Sequence, residues 1–480
     1  MFFFQIKSKK CVLLLVTLFF SFYVNGSSLP TNQIAMTFDN TIRIAQQNDP
    51  WLSGNEHEQR SIELKSVSAN TLPDPKVSID FINNPTDGFD FNQEGMTQTK
   101  VGVAQVLPRG RSLKLKSQQL QAQSQGFPFQ RKDRQAKVAV TVGKLWLDLY
   151  RVQNTIKLIE KHEPLFEQLI SVSEKSYGSA LTNSRQQDIV GAQIELTRLE
   201  DRLDQLVQHK QGYEGQLLQW LAYLPTGDSE TENLSVSSNQ FHNMTLSENL
   251  PLVPLLNCAV VNDNDWAEPE KLIRHFERHP GVIAIDKKVN ATVLGVELAR
   301  QKYKPEWELK ASYGHRRDDL LGRNRADLLS VGVSFDLPLF TENKQDKDVQ
   351  SAIAYSESIK VEKYLIMREF LGSFSSAKGR LQRLKRRKLR YENQLLPQLR
   401  EHAQTLLTAY TNESSSFSEA VKAHIAVLHA EIDQLTIQVE EQKLHLELNY
   451  LFVDGYTPSS VYLSDTISKK PNQVSTSGEL

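Results

Sequence analysis

The sequence predicts a mainly α chain with a small β part, built from two copies of one strand–strand–helical-hairpin unit. Three observations carry this: prolines that recur at a fixed offset, paired segments of alternating apolar and polar residues, and long stretches with coiled-coil spacing. Pro50 and Pro280, Pro75 and Pro305, and Pro108 and Pro338 each stand 230 residues apart. The last pair lies in matching text, Val101-Gly102-Val103 to Leu107-Pro108 against Val331-Gly332-Val333 to Leu337-Pro338. Further on, Pro164 pairs with Pro397 and Tyr177 with Tyr410, and Leu203-Asp204-Gln205-Leu206 answers Ile432-Asp433-Gln434-Leu435. An ordered series of such matches is the mark of internal duplication. The repeats are placed at 27–224 and 270–453. A polar linker, 225–269, lies between them and a polar tail, 454–480, follows.

Each repeat offers two strands. They are expected at about 75–83 and 98–108 in the first copy, and at about 305–314 and 327–338 in the second. Leu329, Val331, Val333, Phe335 and Leu337 form one face, and Ser330, Gly332, Ser334 and Asp336 the other. Alternation alone also fits a half-buried soluble sheet. Strand length, together with a uniformly apolar face backed by a polar or small one, favours a transmembrane barrel. The loops within the pairs are long and polar, acidic in the first (Asp87, Asp90, Glu94) and basic in the second (Arg316, Arg317, Arg323, Arg325). Both read as solvated loop charge, with contact to lipopolysaccharide as the sharper alternative. Four strands cannot close a barrel, and an open edge cannot face lipid, so membrane insertion would require several chains.

Long helices are expected at about 111–177, 185–222, 342–410 and 416–452. Leu145, Leu149, Val152, Ile156 and Ile159 are spaced four, three, four and three, as are Val421, Ile425, Leu428, Ile432, Leu435 and Val439. That average of 3.5 is coiled-coil spacing. Some 65 helical residues would span about 100 Å. Pro164 and Pro397 are expected to kink or interrupt their helices.

The first 26 residues read as a signal peptide, with Lys7, Lys9 and Lys10 before the apolar run Val12 to Phe20 and small residues at Val24-Asn25-Gly26. Cys11 would leave with that segment, so the expected mature chain keeps Cys258 and no internal disulfide. The formal charge of −1 counts the three signal lysines, leaving about −4, and nothing in it points to nucleic acid. No hydrolase, zinc-protease, P-loop, dinucleotide-binding or CxxC motif is present, so neither an enzyme nor a cofactor is expected. His402, His424 and His429 are scattered and Met36, Met96, Met244 and Met367 do not cluster, so no metal site is expected. The basic run Lys378 to Arg390 reads as a solvated or lumen-lining helix face.

In several segments the chain resembles the TolC family of outer-membrane efflux channels. These are Leu72-Pro73-Asp74-Pro75, Val101-Gly102-Val103 through Leu107-Pro108-Arg109-Gly110, Leu337-Pro338-Leu339-Phe340, and Gln186-Gln187-Asp188-Ile189 leading into Glu195 to Glu200. Leu-Pro-Asp-Pro, Met96-Thr97-Gln98 and Pro-Arg-Gly look most like the heavy-metal branch, the copper/silver or cobalt–zinc–cadmium type. The resemblance implies a homotrimer with a 12-stranded transmembrane β-barrel continuous with a periplasmic α-helical barrel, and an equatorial belt from the linker and terminal segments. It implies outer-membrane lipid around the barrel, a periplasmic adaptor and an inner-membrane RND-type pump as partners, and no cofactor. Carried over by position, the adaptor-contact tips are Ala180, Leu181, Thr182, Asn183, Ser184 and Arg185, with Thr411, Asn412, Glu413, Ser414, Ser415 and Ser416. The second tip lacks the glycine usual in the family, and no cysteine follows the signal to take a lipid anchor. Two rival readings are a channel of the same fold for drug efflux or type I protein secretion, and a periplasmic adaptor or other coiled-coil protein.

Overall fold

The computed structural model describes residues 36–88, 90–177, 186–222, 246–247, 249–262, 269–412 and 417–456. The signal segment, most of the linker, the tail beyond 456 and most of both hairpin tips lie outside the described residues. Each repeat opens with two helices that the strand–strand–hairpin expectation omitted: α1 (Phe38–Gln47) and α2 (Pro50–Ser68) in the first, α7 (Pro269–Phe276) and α8 (Pro280–Arg300) in the second. The repeated prolines explain part of their placement. Pro50 and Pro280 occupy the first helical turn, where a missing N–H costs nothing. The preceding residue caps in both copies: Asp49 accepts from Trp51 N, and His279 accepts from Gly281 N.

Pro75 and Pro305 lie just before strands β1 (Lys76–Ile82) and β3 (Trp307–His315); Pro108 and Pro338 lie just after β2 (Gln98–Leu107) and β4 (Leu328–Phe335). Proline cannot donate to a strand ladder, so it punctuates both ends. The four strands form one antiparallel sheet in the order β1-β2-β3-β4, and the β2–β3 pairing joins the two repeats. Below the sheet, α2, α3 (Ser112–Ser124), α8 and α9 (Gln345–Arg390) pack side by side in the same order.

The first long helix is not continuous from residue 111. It breaks between α3 and α4 (Phe127–Tyr177) because Pro128, in the first turn of α4, can supply no N–H to an upstream turn. Ser358 stands at the 230-residue offset, and α9 runs through it unbroken. The two later prolines also behave differently from each other. Helix α4 continues through Pro164 without interruption. In the second copy the π turn Tyr391–Leu395 precedes Pro397, which enters the first turn of α10 (Leu396–Thr411). Proline removes a hydrogen bond to the residue four back, and a π turn absorbs that loss by widening the helix. From Gln345 to Thr411 the rod spans about 100 Å.

Helix α11 (Phe417–Leu451) packs against α4 on one flank and α9 and α10 on the other, while α5 (Gln186–Leu221) packs on α4. The heptad residues fill these contacts. Leu149, Val152 and Ile159 of α4 and Val421, Leu428, Ile432 and Val439 of α11 are buried. Trp146, fully buried, stacks on Tyr150, meets Phe38 edge-on and donates to Met36 O. The described part of the linker is strapped along α11. Gln442 Oε1 accepts from Val253 N, His445 Nδ1 donates to Val253 O, and Asn449 bonds both Pro254 O and Leu256 N. These three side chains sit on one face of α11 and hold residues 253–256 of the linker against it. The short α6 (Cys258–Asn262) follows.

His279 is fully buried between the rings of Phe370 and Tyr450, with Nε2 donating to Tyr450 O and Nδ1 accepting from Gly281 N. Burial pushes its pKa down to about 4, opposed by the nearby Asp133 carboxylate on α4. A histidine with a depressed folded pKa stabilises fully above its unfolded pKa, and that contribution is lost as pH falls toward 4. Between pH 7 and 5 the loss is expected to be roughly 2 kcal/mol. Thermal melts of the wild-type chain and His279→Asn should therefore converge at pH 5 relative to pH 7.

Candidate functional surfaces

On the sheet, strand parity sorts side chains into two unlike faces. Val77, Ile79 and Phe81 of β1, Val101 and Val103 of β2, Trp307, Leu309, Ala311 and Tyr313 of β3, and Leu329, Val331, Val333 and Phe335 of β4 share one face. The register stacks them in rows, such as Ile79–Val101–Tyr313–Leu329 and Val77–Val103–Ala311–Val331. This face is open: Val331 is 77% and Ile79 67% exposed. So large an apolar patch is uncommon on a soluble monomer and calls for a covering phase. From Leu329 to the exposed Leu337 the face runs about 26 Å along the strand, about 20 Å of height at the usual tilt of barrel strands and comparable to the apolar band of a membrane barrel. Trp307 packs on Phe335 at its helix end, and Tyr313 and Phe81 mark its loop end, as aromatic belts do.

The opposite face carries Ser78, Asp80, Lys100, Gly102, Glu308, Lys310, Ser312, Ser330, Gly332 and Ser334. Lys310 Nζ lies 2.8 Å from Glu308 Oε2, and the Gln98 amide fills the space above Gly314. Such a face needs water, so the two sides of the sheet must meet different surroundings. Among the described residues both outer edges, β1 and β4, are unpaired.

The Pro108-Arg109-Gly110 segment is the joint between sheet and helices. Gly110 has φ of +50°, a conformation that L side chains resist, and the Lys304 side chain fills the space a Cβ would need. Arg109 pairs with Asp336 and donates to Lys302 O at 2.8 Å, while Asp336 Oδ1 accepts from Glu306 N. The motif thus locks the start of the first hairpin to both strands of the second repeat.

A second arrangement, unforeseen from the scattered histidines, runs along α11. Glu431 accepts from His162 Nε2 on α4 at 3.0 Å and from Arg400 on α10 at 2.6 Å. Burial would raise its carboxyl, but the Arg400 and His162 hydrogen bonds outweigh it and hold the group below the ordinary range. Higher up, Lys144 of α4 and Arg380 of α9 both pair with Glu447, Lys443 pairs with Asp148, and Lys388 pairs with Glu441. The basic run is therefore only partly a free face. Lys378 is buried with Nζ 3.4 Å from Val260 O, and Arg380 and Lys388 are tied to α11. His424 is pushed below its usual pKa by burial and by His162. Its spacing from Glu431, seven residues on α11, was the available signal for a shared face.

Among the carried-over tip residues, Ala180, Leu181, Thr182, Asn183, Ser184, Arg185, Glu413, Ser414, Ser415 and Ser416 lie outside the described residues. Thr411 ends α10, and Asn412 caps it with N–H donated to Thr408 O. Among the described residues no group of three His, Cys, Asp or Glu side chains could hold a metal ion, and no helix is long and apolar enough to cross a membrane.

No protein-family model matches the chain, and no curated protein matches it in sequence. Solved structures do match in fold. The outer-membrane protein VceC of Vibrio cholerae superposes with a TM-score of 0.68 at 13% identity, covering 88% of this chain and 97% of its own. The CmeC outer-membrane channel of Campylobacter jejuni gives 0.68 at 11%, over 88% and 87%. CusC, whose structures describe transmembrane channel formation, gives 0.65 at 12%, over 87% and 92%. The chain has the fold of these outer-membrane channels. CusC stands no nearer than the other two, so the heavy-metal branch is not singled out.

Glu431→Ala should cost about 1 kcal/mol, since it leaves the mostly buried His162 Nε2 without its partner while the exposed Arg400 turns to water. A double-mutant cycle with His162→Ala should return a coupling above about 0.5 kcal/mol in chemical unfolding, whereas independent sites would add.

Proposed function

We propose that the chain is one subunit of an outer-membrane efflux duct in a tripartite system, and that three copies complete the pore. The observation that carries this reading is the sheet, with one apolar face, one polar face and two unpaired edges, set on helical rods about 100 Å long. Pairing β4 of one copy with β1 of the next would close twelve strands and leave no edge in lipid. The apolar face then meets the hydrocarbon, the polar face lines a water-filled lumen, and the helices continue it across the periplasm.

In this reading the duct is passive. An inner-membrane RND-type pump supplies the energy, and a periplasmic adaptor docks on the tips around 180–185 and 411–416. Opening of the helical end is a shift between two coiled-coil packings, biased by that docking. Heavy-metal cations are the proposed cargo, on the strength of the Leu-Pro-Asp-Pro and Pro-Arg-Gly resemblance. Drug efflux and protein secretion are the competing cargoes.

Two substitutions one residue apart test the barrel. Val331→Arg puts a charge in lipid at an expected cost of about 2–4 kcal/mol, whereas Ser330→Arg faces the lumen. Outer-membrane fractions should hold SDS-resistant trimer for Ser330→Arg and little for Val331→Arg; equal yields would refute the assignment of faces. For cargo, a deletion strain should become sensitive to copper, silver, zinc or cadmium. Sensitivity to drugs alone would reassign the duct. Bulky charges at Leu181 and Asn183 should weaken adaptor docking and export together, and normal resistance in a cell with that variant as its only channel would refute the docking site.

A further inference from the structure

The proposed function leaves the loop end of the sheet unused, and its arginines are not simply solvated. Tyr313 and His315 lie on the apolar face, and Arg317 follows two residues beyond the end of β3. A chain of contacts ties it to that face. The Arg317 guanidinium lies over the Phe91 ring at 5.3 Å, and Phe91 meets Phe81 of the apolar face edge-on at 6.0 Å. Arg317 is thus carried by an aromatic pair at the rim of the apolar band, and no ion pair to it is formed among the described residues.

The surrounding charges are used internally. Asp319 closes the loop by accepting from Leu321 N, Arg323 N and Arg323 Nε, around Gly322 at φ +75°. Asp327 accepts from Tyr313 and from Arg316 N. Arg325 donates to Glu94 O and Asn92 O, and Arg316 to Gly95 O, which ties the basic loop to the acidic one. The loops are thereby fixed against each other, and Arg317 stays exposed over the Phe91 ring.

We infer that Arg317, carried on Phe91 and Phe81, is a contact for the phosphate of a phosphorylated glycolipid headgroup in the outer leaflet. The inference rests on the outer-membrane reading. A guanidinium stacked on a ring keeps its edge free for a bidentate bond to phosphate, which a lysine cannot reproduce. An aromatic belt sets that edge at headgroup depth.

The test uses the purified full-length trimer and native mass spectrometry, with added bisphosphorylated lipid A or its dephosphorylated form. Wild-type trimer should bind the phosphorylated lipid at least tenfold more tightly than the dephosphorylated one. Arg317→Ala should lose that preference, and Arg317→Lys should keep only part of it. Phe91→Leu, which leaves the charge but removes its platform, should weaken the preference as well. Equal binding of the two lipids by wild type, or an undiminished preference in Arg317→Ala, would overturn the inference and leave the duct standing. Absence of a wild-type trimer from outer membranes would overturn both.

Discussion

The β2–β3 pairing is the contact on which the rest depends. Among the described residues it is the only strand pairing between the repeats, from Thr99↔His315 to Leu107↔Trp307. Because side chains alternate along a strand, a slip of one residue would turn the apolar set of one repeat to the side of the other's polar set. With the observed register, both repeats turn apolar residues the same way and the sheet becomes two-faced. The helices inherit the order, with α2, α3, α8 and α9 following β1 to β4. Arg109 then fixes the joint by reaching from the first repeat to Asp336 in the second.

Duplication supplies the frame, and differences between the copies supply the specialisation. Pro128 breaks the rod in one copy where Ser358 lets it pass in the other. Pro397 follows a π turn, whereas Pro164 rides within a continuous helix. The charges are also unequal. Helix α11 carries the acids that hold both neighbours, through Glu431, Glu441 and Glu447. The outer flank of the first hairpin relies on apolar packing between α4 and α5, as in the cluster of Ile159, Phe166 and Leu199. Two hairpins that began alike are therefore held by different chemistry, and one of them is clamped from both sides.

Much of this was legible in the residues. Strands read from alternation lie within about two residues of those in the structure at most ends, and the heptad residues are buried (Leu149, Ile159, Leu428, Ile432) or half-buried (Leu145, Ile156, Ile425, Leu435). What escaped has physical reasons. Helices α2 and α8 have no strong apolar stripe: α2 buries Asn55 and Ser66 beside Ile62, and α8 buries four successive residues from Val282 to Ile285. Gln442, His445 and Asn449 look like ordinary polar helix residues until the linker they hold is seen beside them. Glu431 joins partners 31 and 269 residues away, a relation that no local pattern contains.

The open edges and the apolar face are a single constraint in two forms. Burying the apolar face in a second soluble layer would leave β1 and β4 unpaired, while pairing those edges in water would leave the face exposed. A closed ring of copies surrounded by hydrocarbon satisfies both at once, and it also hydrates the charged pair Lys310–Glu308 on the inside. In the proposed duct, helices that continue strand by strand from a closed barrel would leave it as a ring, so a tube would follow from the pore. The two-faced sheet, the rods beneath it and the joint at Arg109 would then serve one requirement, that each chain supplies a sector of a continuous wall.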